Sequence, residues 1–281
     1  ETLPQAETAI LGCGCLLPGA DGPGAAWLRL ASGDCAVTAI PPGRFPPVRF
    51  DHPGAAVPGR TGTRAAGIVA DLFAFDPGHF GISPREAEQM DPQQRLLLRA
   101  AAAAFDDAGI DPARLDRDRT GVFVGASGAD YANYGTQNPE AIGPHFMLGN
   151  TLSILANRIS YQWDFRGPSY TVDTACSSGL FALDRAREAI AAGTIDTAVV
   201  GAVNVLLSPM PFVGFAQAGM LSPDGLCKAF AEGADGYVRA EGAVVFVLQR
   251  ADLARAEGLR LRSILVGTGV NSDGRTNGIA L

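Results

Sequence analysis

Short, almost wholly apolar segments alternate along this chain with longer segments of helical periodicity. Residues 121–125 and 197–203 are such apolar segments, and their length suits strands that are buried on both faces. The helical segments carry boundary signals: Ser-Pro-Arg-Glu at 83–86 is a capping box with proline in the first turn, and Asp91 precedes a second helix that Gly109 ends. The alternation predicts a layered α/β fold around a sheet with helices on both sides.

The same patterns give a set of predicted elements. Strands are predicted at 8–16, 121–125, 170–174, 197–203, 243–248 and 263–266. Beyond the helix that opens at Ser83, helices are predicted at 93–108, 149–161, 177–192 and 251–257. The residues before about 80 are rich in proline and glycine and are expected to form surface loops, as is the segment that follows the strand at 197–203.

The composition excludes several classes of protein. Hydrophobic residues make up 47% of the 281 residues and charged residues 18%, a balance that excludes disorder as the main state. The net charge of −7 and the lack of a basic cluster argue against a nucleic-acid partner. The longest uncharged segment, 197–223, has polar residues and two prolines near its centre, so we expect no membrane span and no membrane partner.

Five scattered cysteines and three histidines limit the chemistry that the chain can support. The odd number and wide spacing of the cysteines differ from a secreted disulfide scaffold, so a reducing, cytoplasmic location is expected. No histidine stands at metal-ligand spacing from Cys13 and Cys15, so no metal site is expected. The chain begins at Glu1 without an initiator methionine or a visible signal peptide, and it is expected to be part of a longer protein.

The most informative segment for chemistry is Val-Asp-Thr-Ala-Cys-Ser-Ser-Gly-Leu at 172–180. A predicted strand ends there, small residues turn the chain, and a helix starts at once, which places Cys176 at a helix N-terminus. Unpaired N–H groups and the helix dipole favour an anion at such a position, so the thiolate of Cys176 is favoured and its own amide can face an oxyanion. The residues alone leave a second interpretation open, a buried and inert cysteine.

Residues 173–180 resemble the active-site motif of β-ketoacyl synthases, specifically the ketosynthase domains of bacterial type I polyketide synthases. Other blocks resemble that family in the same order along the chain. These blocks are Phe-Gly-Ile-Ser-Pro-Arg-Glu-Ala at 80–87, Met-Asp-Pro-Gln-Gln-Arg at 90–95, Leu-Ala-Asn-Arg-Ile-Ser-Tyr at 155–161, Met-Leu-Ser-Pro-Asp-Gly at 220–225, Cys-Lys-Ala-Phe at 227–230, Asp-Gly-Tyr-Val-Arg-Ala-Glu-Gly at 235–242 and Asn-Ser-Asp-Gly-Arg-Thr-Asn-Gly at 271–278. The blocks span nearly the whole chain, which is identified by them as a member of the family.

The resemblance implies a thiolase-like α/β fold of two similar halves, stacked as five layers α-β-α-β-α. Residues 1–262 would form the N-terminal half, which carries the nucleophile, and 263–281 the first strand and loop of the C-terminal half. The family's two catalytic histidines lie in His-Gly-Thr-Gly-Thr and Asn-Ile-Gly-His motifs of the C-terminal half, which this sequence lacks. His52, His79 and His145 all precede the nucleophile, match neither motif, and are expected to be structural or exposed.

The resemblance also implies an acyltransferase activity. Cys176 would accept an acyl group as a thioester, and a malonyl-type extender on an acyl carrier protein would lose CO2 and condense with that group. The substrates would arrive on phosphopantetheine arms of the carrier protein, so the domain itself would bind no cofactor. The implied partners are the acyl carrier protein, adjacent polyketide synthase domains such as an acyltransferase, and a second copy of the chain, paired through the strand at 169–174.

A few further residues are candidates for substrate binding or for structural support. Phe212 and Phe215 lie in a proline-rich segment whose counterpart often lines an acyl pocket in the resembling family, and plain core packing explains them equally well. Met147 is a third candidate, in a segment where such enzymes commonly approach the partner protomer. Asp235 and Glu241 are expected to form a buried structural ion network that fixes a loop, because a carboxylate has no clear task in thioester exchange.

Two other functions remain open from the sequence. A cysteine hydrolase would also place its nucleophile between a strand and a helix, but it needs a histidine near that cysteine and leaves the later blocks unexplained. A non-catalytic fragment of the synthase, retained for structure or dimerisation, agrees with the missing histidine motifs and with the length of the chain.

Overall fold

The computed structural model describes residues 6–45, 50–52, 57–136 and 139–275. Its strands are β1 Thr8–Leu17, β2 Ala20–Asp21, β3 Val37–Ala39, β4 Ala65–Gly67, β5 Thr120–Gly125, β6 Ser169–Val172, β7 Thr197–Asn204, β8 Gly242–Arg250 and β9 Ser263–Leu265. Its α-helices are α1 Pro23–Ser32, α2 Pro84–Gln89, α3 Pro92–Ala108, α4 Asp130–Thr136, α5 Phe146–Asn150, α6 Ile154–Trp163, α7 Ser178–Ala191, α8 Met210–Gln217 and α9 Ala251–Ala256, with 3-10 turns at Pro112–Arg114 and Pro139–Ala141.

The main sheet has the strand order β2-β1-β8-β7-β5-β6, and β9 pairs with the start of β1. β5 is parallel to both β6 and β7, whereas β8 is antiparallel to β7 and to β1. The carboxyl ends of β5, β6 and β7 therefore meet at one edge of the sheet, together with the amino end of β8. Ligands of open α/β sheets bind outside the carboxyl ends of parallel strands, so this edge is where a site is expected.

Helices cover both faces of the main sheet, as the sequence predicts. On one face α3 packs across β1, β7 and β8 and contributes most of its length to the largest hydrophobic cluster. Gly12 and Gly14 in β1 allow this close approach, because a Cβ atom at either position would collide with the backbone of α3. On the other face α7 packs against β5 and β7 in a smaller cluster centred on Phe123 and Ile190.

Most predicted elements are confirmed to within a few residues, including the caps of the long helix. Asp91 caps α3 by accepting the N–H of Gln93 at 2.8 Å, and Gly109 ends it in the left-handed conformation. Ser83 caps α2 by accepting the N–H of Glu86. The layered α/β class is therefore confirmed.

Three expectations are wrong in detail. The region before residue 80 is not all loop, since it contains α1, β2 and a two-stranded antiparallel sheet of β3 and β4. The loop expected after β7 contains α8, and the helix expected at 149–161 is broken at residues 151–153 into α5 and α6. The helices α1 and α8 contain proline and glycine within short sequences, which hid their periodicity.

The expected boundary between the two halves stays a prediction. β9, the strand expected to open the second half, hydrogen-bonds to Thr8–Ile10 at the edge of β1. Residues 276–281, which include the end of the last sequence block, lie outside the described residues. Within the described part of the chain, no helix has the length and apolar character needed to cross a membrane.

Candidate active site

Cys176 lies in a tight elbow between β6 and α7, and the elbow is fixed by its own short side chains. Ser178 Oγ accepts the N–H of Thr174 at 2.9 Å and donates to the carbonyl oxygen of Ala175 at 2.6 Å. Ser177 Oγ donates to the carbonyl oxygen of Thr174 at 2.8 Å. These bonds satisfy the backbone of the turn within a few residues and leave the Cys176 side chain exposed.

Two backbone features make the elbow sharp. Ala175 has a φ of 54°, a left-handed conformation that is uncommon for a residue other than glycine. The carboxylate of Asp173 accepts the N–H of Ala175 at 2.9 Å and supports that conformation. Gly125, at the end of β5, lets the start of α7 pack directly on it, because a Cβ there would collide with the Ser178 backbone. The strained residue therefore stands immediately before the candidate nucleophile.

The elbow opens into a cavity of about 620 Å³ at the carboxyl edge of the sheet. Cys176 lines one side, and Phe215, Tyr237 and Arg239 line other parts of the wall. Asp130, the first residue of α4, also lines the cavity. The structure thus brings an exposed thiol into a space that is large enough for a small organic group.

The predicted substrate-binding residues fall in different places. Phe215 lines the cavity together with Cys176. Phe212 is fully buried one turn earlier on α8, where its ring packs against Phe45 at a centroid distance of 5.5 Å, and it is not among the lining residues. Met147 on α5 is 69% exposed and also lies outside the cavity lining. A role of these three residues in substrate binding stays a prediction.

None of the three histidines is among the residues that line the cavity in the described structure. The other cysteines also differ from Cys176 in their surroundings. Burial raises the pKa of the Cys13 thiol to about 11, and burial also raises the pKa of Cys15. Cys227 is exposed, and its sulfur accepts the N–H of Val238 at 3.0 Å. Cys176 is therefore the thiol that combines exposure with a place on the cavity wall.

Two charged residues of the cavity were not singled out as site residues from the sequence. The carboxylate of Asp130 accepts the N–H groups of Leu207 and Ser208, both at 3.0 Å, and so holds the segment between β7 and α8. Burial lowers the pKa of Arg239, while the nearby charge of Asp130 acts in the opposite direction. Arg239 stands inside one of the family-like sequence blocks, but nothing in the sequence pairs it with Asp130 across 109 positions.

The expected ion network divides into two separate ones. Glu241 is fully buried and binds Arg44 at 3.1 Å, as well as the N–H groups of Val69 at 3.0 Å and Leu206 at 3.1 Å. Asp235 instead binds Lys228 at 2.7 Å on a partly exposed loop. The expectation is correct for Glu241 as a structural residue and wrong in joining Asp235 to it, because a loop that folds back on itself separates the two carboxylates.

Electrostatics link Tyr237 to the elbow. Burial raises the pKa of Tyr237, and the nearby Cys176 adds to the increase, whereas Arg239 opposes it. No cluster of three or more histidine, cysteine, aspartate or glutamate side chains suited to a metal ion occurs among the residues described. The chemistry available to this cavity is accordingly that of a thiol beside a tyrosine, a guanidinium and buried carboxylates.

The chain matches the family model of the β-ketoacyl synthase N-terminal domain over residues 5–254 and belongs to that family. It is 44% identical over 276 residues to a mycocerosic acid synthase-like polyketide synthase of Mycolicibacterium smegmatis, covering 98% of this chain and 13% of that protein. It is 43% identical over 272 residues to a phenolphthiocerol/phthiocerol polyketide synthase of Mycobacterium tuberculosis, covering 96% of this chain and 14% of that protein.

Solved structures agree with this family. The oxazolomycin ketosynthase domain of Streptomyces albus superposes with a TM-score of 0.92 at 38% identity, covering 97% of this chain and 47% of that chain. The ketosynthase from module 6 of the bacillaene synthase of Bacillus subtilis superposes with a TM-score of 0.87 at 37% identity, covering 98% of this chain and 45% of that one. The chain thus spans under half of these solved chains and about an eighth of the curated relatives. It has the thiolase-like fold of polyketide synthase ketosynthase domains.

Proposed function

We propose that Cys176 is the acyl acceptor of a β-ketoacyl synthase that works within a polyketide synthase. The thiolate sulfur attacks the carbonyl carbon of an acyl thioester, the carbon–sulfur bond to the donor breaks, and the donor thiol leaves with a proton. The acyl group then remains on Cys176 as a new thioester. The observation that carries this proposal is the exposed thiol at the end of a strained elbow, facing a cavity of about 620 Å³.

The backbone N–H of Cys176 is the donor that we assign to the oxyanion of this step. The elbow holds the nucleophile between β6 and α7, and the bonds of Ser177 and Ser178 fix the backbone of the turn that carries its amide. Preorganised N–H donors of this kind stabilise the tetrahedral intermediate of acyl transfer. The helix dipole of α7 adds a favourable field for the negative charge.

The second half of the proposed reaction is a decarboxylative condensation. A malonyl-type thioester loses CO2, the electron pair of the broken bond forms an enolate, and the enolate carbon attacks the acyl carbonyl carbon on Cys176. A carbon–carbon bond forms and the Cys176 thiolate is released. In the family the histidines that assist this step belong to motifs outside these 281 residues, so the present chain supplies the nucleophile and the walls around it.

The proposal extends to partners and location. Both substrates would be carried on phosphopantetheine arms of an acyl carrier protein, with an acyltransferase among the neighbouring domains, and no resident cofactor would take part. We assign residues 1–262 to the N-terminal half of the ketosynthase and 263–281 to the start of its C-terminal half. The sparse cysteines support a cytoplasmic location.

A homodimer through β6 is part of the same proposal. β6 is the last strand in the order of the main sheet, so its outer edge presents unpaired backbone groups within the described structure. Tyr170 in β6 is 39% exposed and Leu180 in the adjacent α7 is 74% exposed. Pairing of two β6 edges about a two-fold axis would cover both. Sedimentation of the intact protein as a monomer at micromolar concentration would contradict this arrangement.

Acyl transfer to Cys176 is the direct test of the function. The intact protein is incubated with an acyl-pantetheine thioester and analysed by peptide mass spectrometry. We expect the mass of one acyl group on the peptide that contains Cys176, and addition of malonyl carrier protein should release a β-ketoacyl product. Steady release of free acid with no β-ketoacyl product would support the cysteine hydrolase instead. No acyl mass at Cys176 would overturn the proposal.

A further inference from the structure

Arg239 is placed between the cavity and one face of α8. Its guanidinium carbon lies 4.9 Å from the ring centroid of Phe212 and 5.4 Å from that of Phe215. These two rings are three residues apart on α8 and therefore share one face of the helix. Both distances are within the range of cation–π attraction, and that attraction is stronger here than at an exposed site because the guanidinium is partly desolvated.

The backbone of Arg239 is fixed independently of α8. Its carbonyl oxygen accepts the N–H of Gly67 in β4 at 2.9 Å, and the N–H of Glu241 donates to the carbonyl oxygen of Gly67 at 2.8 Å. Asn204 at the end of β7 donates to the carbonyl oxygen of Ala240 at 2.7 Å. The backbone of Arg239 is thus held against β4, and its side chain reaches α8.

Hydrogen bonding does not explain the position of the guanidinium. Nη1 of Arg239 is buried and has no hydrogen-bond partner in the described structure. A buried donor without an acceptor is unfavourable, so the group is not held there by that donor. The guanidinium of arginine is planar and can stack on aromatic rings, whereas the ammonium group of lysine cannot. The charge of Asp130 also acts on the guanidinium, but the contact with the two phenylalanines is the one that reaches the Phe215 ring.

We propose that Arg239 is a positioning residue that holds the Phe215 ring against the cavity and thereby limits the length of the acyl chain accepted beside Cys176. The proposal rests on the function proposed above and names the residue that sets its selectivity. Phe215 also meets Tyr237 edge to face, at a centroid distance of 6.0 Å and an interplanar angle of 69°. With Arg239 on one side and Tyr237 near it, the ring has little freedom to swing out of the wall.

The test uses alkylation of Cys176 with a matched pair of reagents, iodoacetamide and N-octyl iodoacetamide. The sulfur forms a bond to carbon and iodide leaves, so the rate depends on access to the thiol and not on acyl transfer. The intact protein is compared with Arg239→Met, Phe215→Ala and the double variant. We expect the ratio of long-reagent to short-reagent rates to rise about threefold to thirtyfold in Arg239→Met, the range between an exposed and a desolvated cation–π contact.

The other variants decide whether Arg239 acts through Phe215. Phe215→Ala should shift the ratio in the same direction, and the double variant should shift it no further than Phe215→Ala alone. Arg185→Met is the matched control, because Arg185 also lies over a phenylalanine ring, Phe181 at 5.1 Å, but does not line the cavity. Its ratio should equal that of the unmodified protein.

The inference would be overturned if Arg239→Met had the same ratio of long-reagent to short-reagent rates as the unmodified protein. It would also be overturned if the changes in this ratio were additive in the double variant. Melting curves identify any variant that fails to fold, and Arg239→Gln then replaces Arg239→Met with the same expected rise. The experiment separates this proposal from the proposed function. If the protein is alkylated with the expected ratios but is never acylated by the pantetheine thioester, acyl transfer is refuted and the role of Arg239 is not.

Discussion

The two sides of the cavity are built in different ways. At the Cys176 elbow, the supporting hydrogen bonds join residues only two to four positions apart. In the part of the wall around Glu241, the single carboxylate of that residue binds partners that are 35, 172 and 197 positions away. The nucleophile is therefore held by a local turn, whereas the wall around Glu241 depends on the assembly of the whole sheet and its loops.

The two parts of the wall also differ in how deeply their supporting residues are buried. The elbow bonds lie mostly at an exposed or half-buried surface, where water can replace a lost partner. The Glu241 side chain is 0% exposed and that of Arg44 is 9% exposed, so a lost partner there leaves a charge that water cannot reach. Substitutions in the elbow should consequently change chemistry more than stability, and substitutions at Glu241 should do the reverse.

The largest expected effect is on chemistry, at the elbow. Cys176→Ala removes the acyl acceptor, so acyl transfer from a pantetheine thioester should fall at least about a thousandfold. Because the side chain is exposed, the free energy of unfolding should change by less than about 0.5 kcal/mol. Cys35→Ala, at another exposed cysteine, is the control and should retain full acylation. Acylation of Cys176→Ala at the normal rate would refute the assignment of the nucleophile.

The next effect is on stability, at Glu241. Glu241→Gln leaves Arg44 buried without its counter-charge and places an amide beside N–H donors, so the free energy of unfolding should fall by about 3–5 kcal/mol. Urea denaturation followed by circular dichroism measures this change. Glu188→Gln is the matched control, because Glu188 forms a half-exposed ion pair with Arg185 at 2.8 Å and should cost under about 1 kcal/mol. Equal losses in the two variants would remove the distinction between the two sides.

The same difference explains what the sequence could and could not predict. The elbow was predictable because its determinants, small residues between an apolar strand and a helix, are adjacent in the chain. The cavity wall was not, since Arg44, Val69 and Leu206 meet Glu241 only after the sheet has formed. The strands β5 and β7 were predictable because burial on both faces imposes an apolar sequence on them.

Helices that bury little were the hardest to predict. α1 buries none of its residues and exposes Trp27 and Leu30, and it stands in a segment rich in proline and glycine, a composition that favoured a loop. Its boundary signals are present, with Pro23 in the first turn and Gly33 ending the helix in the left-handed conformation. An interpretation that gave these caps more weight than the local proline and glycine content would have predicted the helix.

Asp91 takes part in both a local cap and a contact with a distant segment, and its titration predicts how the stability of the protein depends on pH. It caps α3 locally through Gln93, whose side-chain amide also donates to the carbonyl oxygen of Gly128 in the cavity wall. Burial raises the Asp91 pKa from 3.8 to about 6, against the opposing hydrogen bonds from Gln93. Between these two values the folded protein binds more protons than the unfolded chain, so this carboxyl lowers stability as the pH rises from about 4 to about 6.

Asp91→Asn tests this, because asparagine is an equally good cap and does not titrate. Relative to the variant, the unmodified protein should lose about 2 kcal/mol of unfolding free energy between pH 4 and pH 6, and almost nothing further above pH 7. Urea denaturation at intervals of pH gives the curve for both proteins. A difference between them that is flat across this range, or that grows in the opposite direction, would show that Asp91 is charged in the folded state throughout.

The smallest effect is expected at Ala175, where the local elbow stores its strain. Glycine adopts a φ of 54° freely, but it also gains freedom in the unfolded chain, so Ala175→Gly should raise the free energy of unfolding by about 0–1 kcal/mol. Ala175→Val, whose branched side chain disfavours this conformation, should lower it by about 1–2 kcal/mol. Both variants keep the bonds of Ser177 and Ser178, so iodoacetamide should label Cys176 at the unmodified rate in Ala175→Gly. If Ala175→Gly instead loses stability and slows labelling, the alanine methyl group is a packing contact of the elbow, and the turn is less local than its hydrogen bonds indicate.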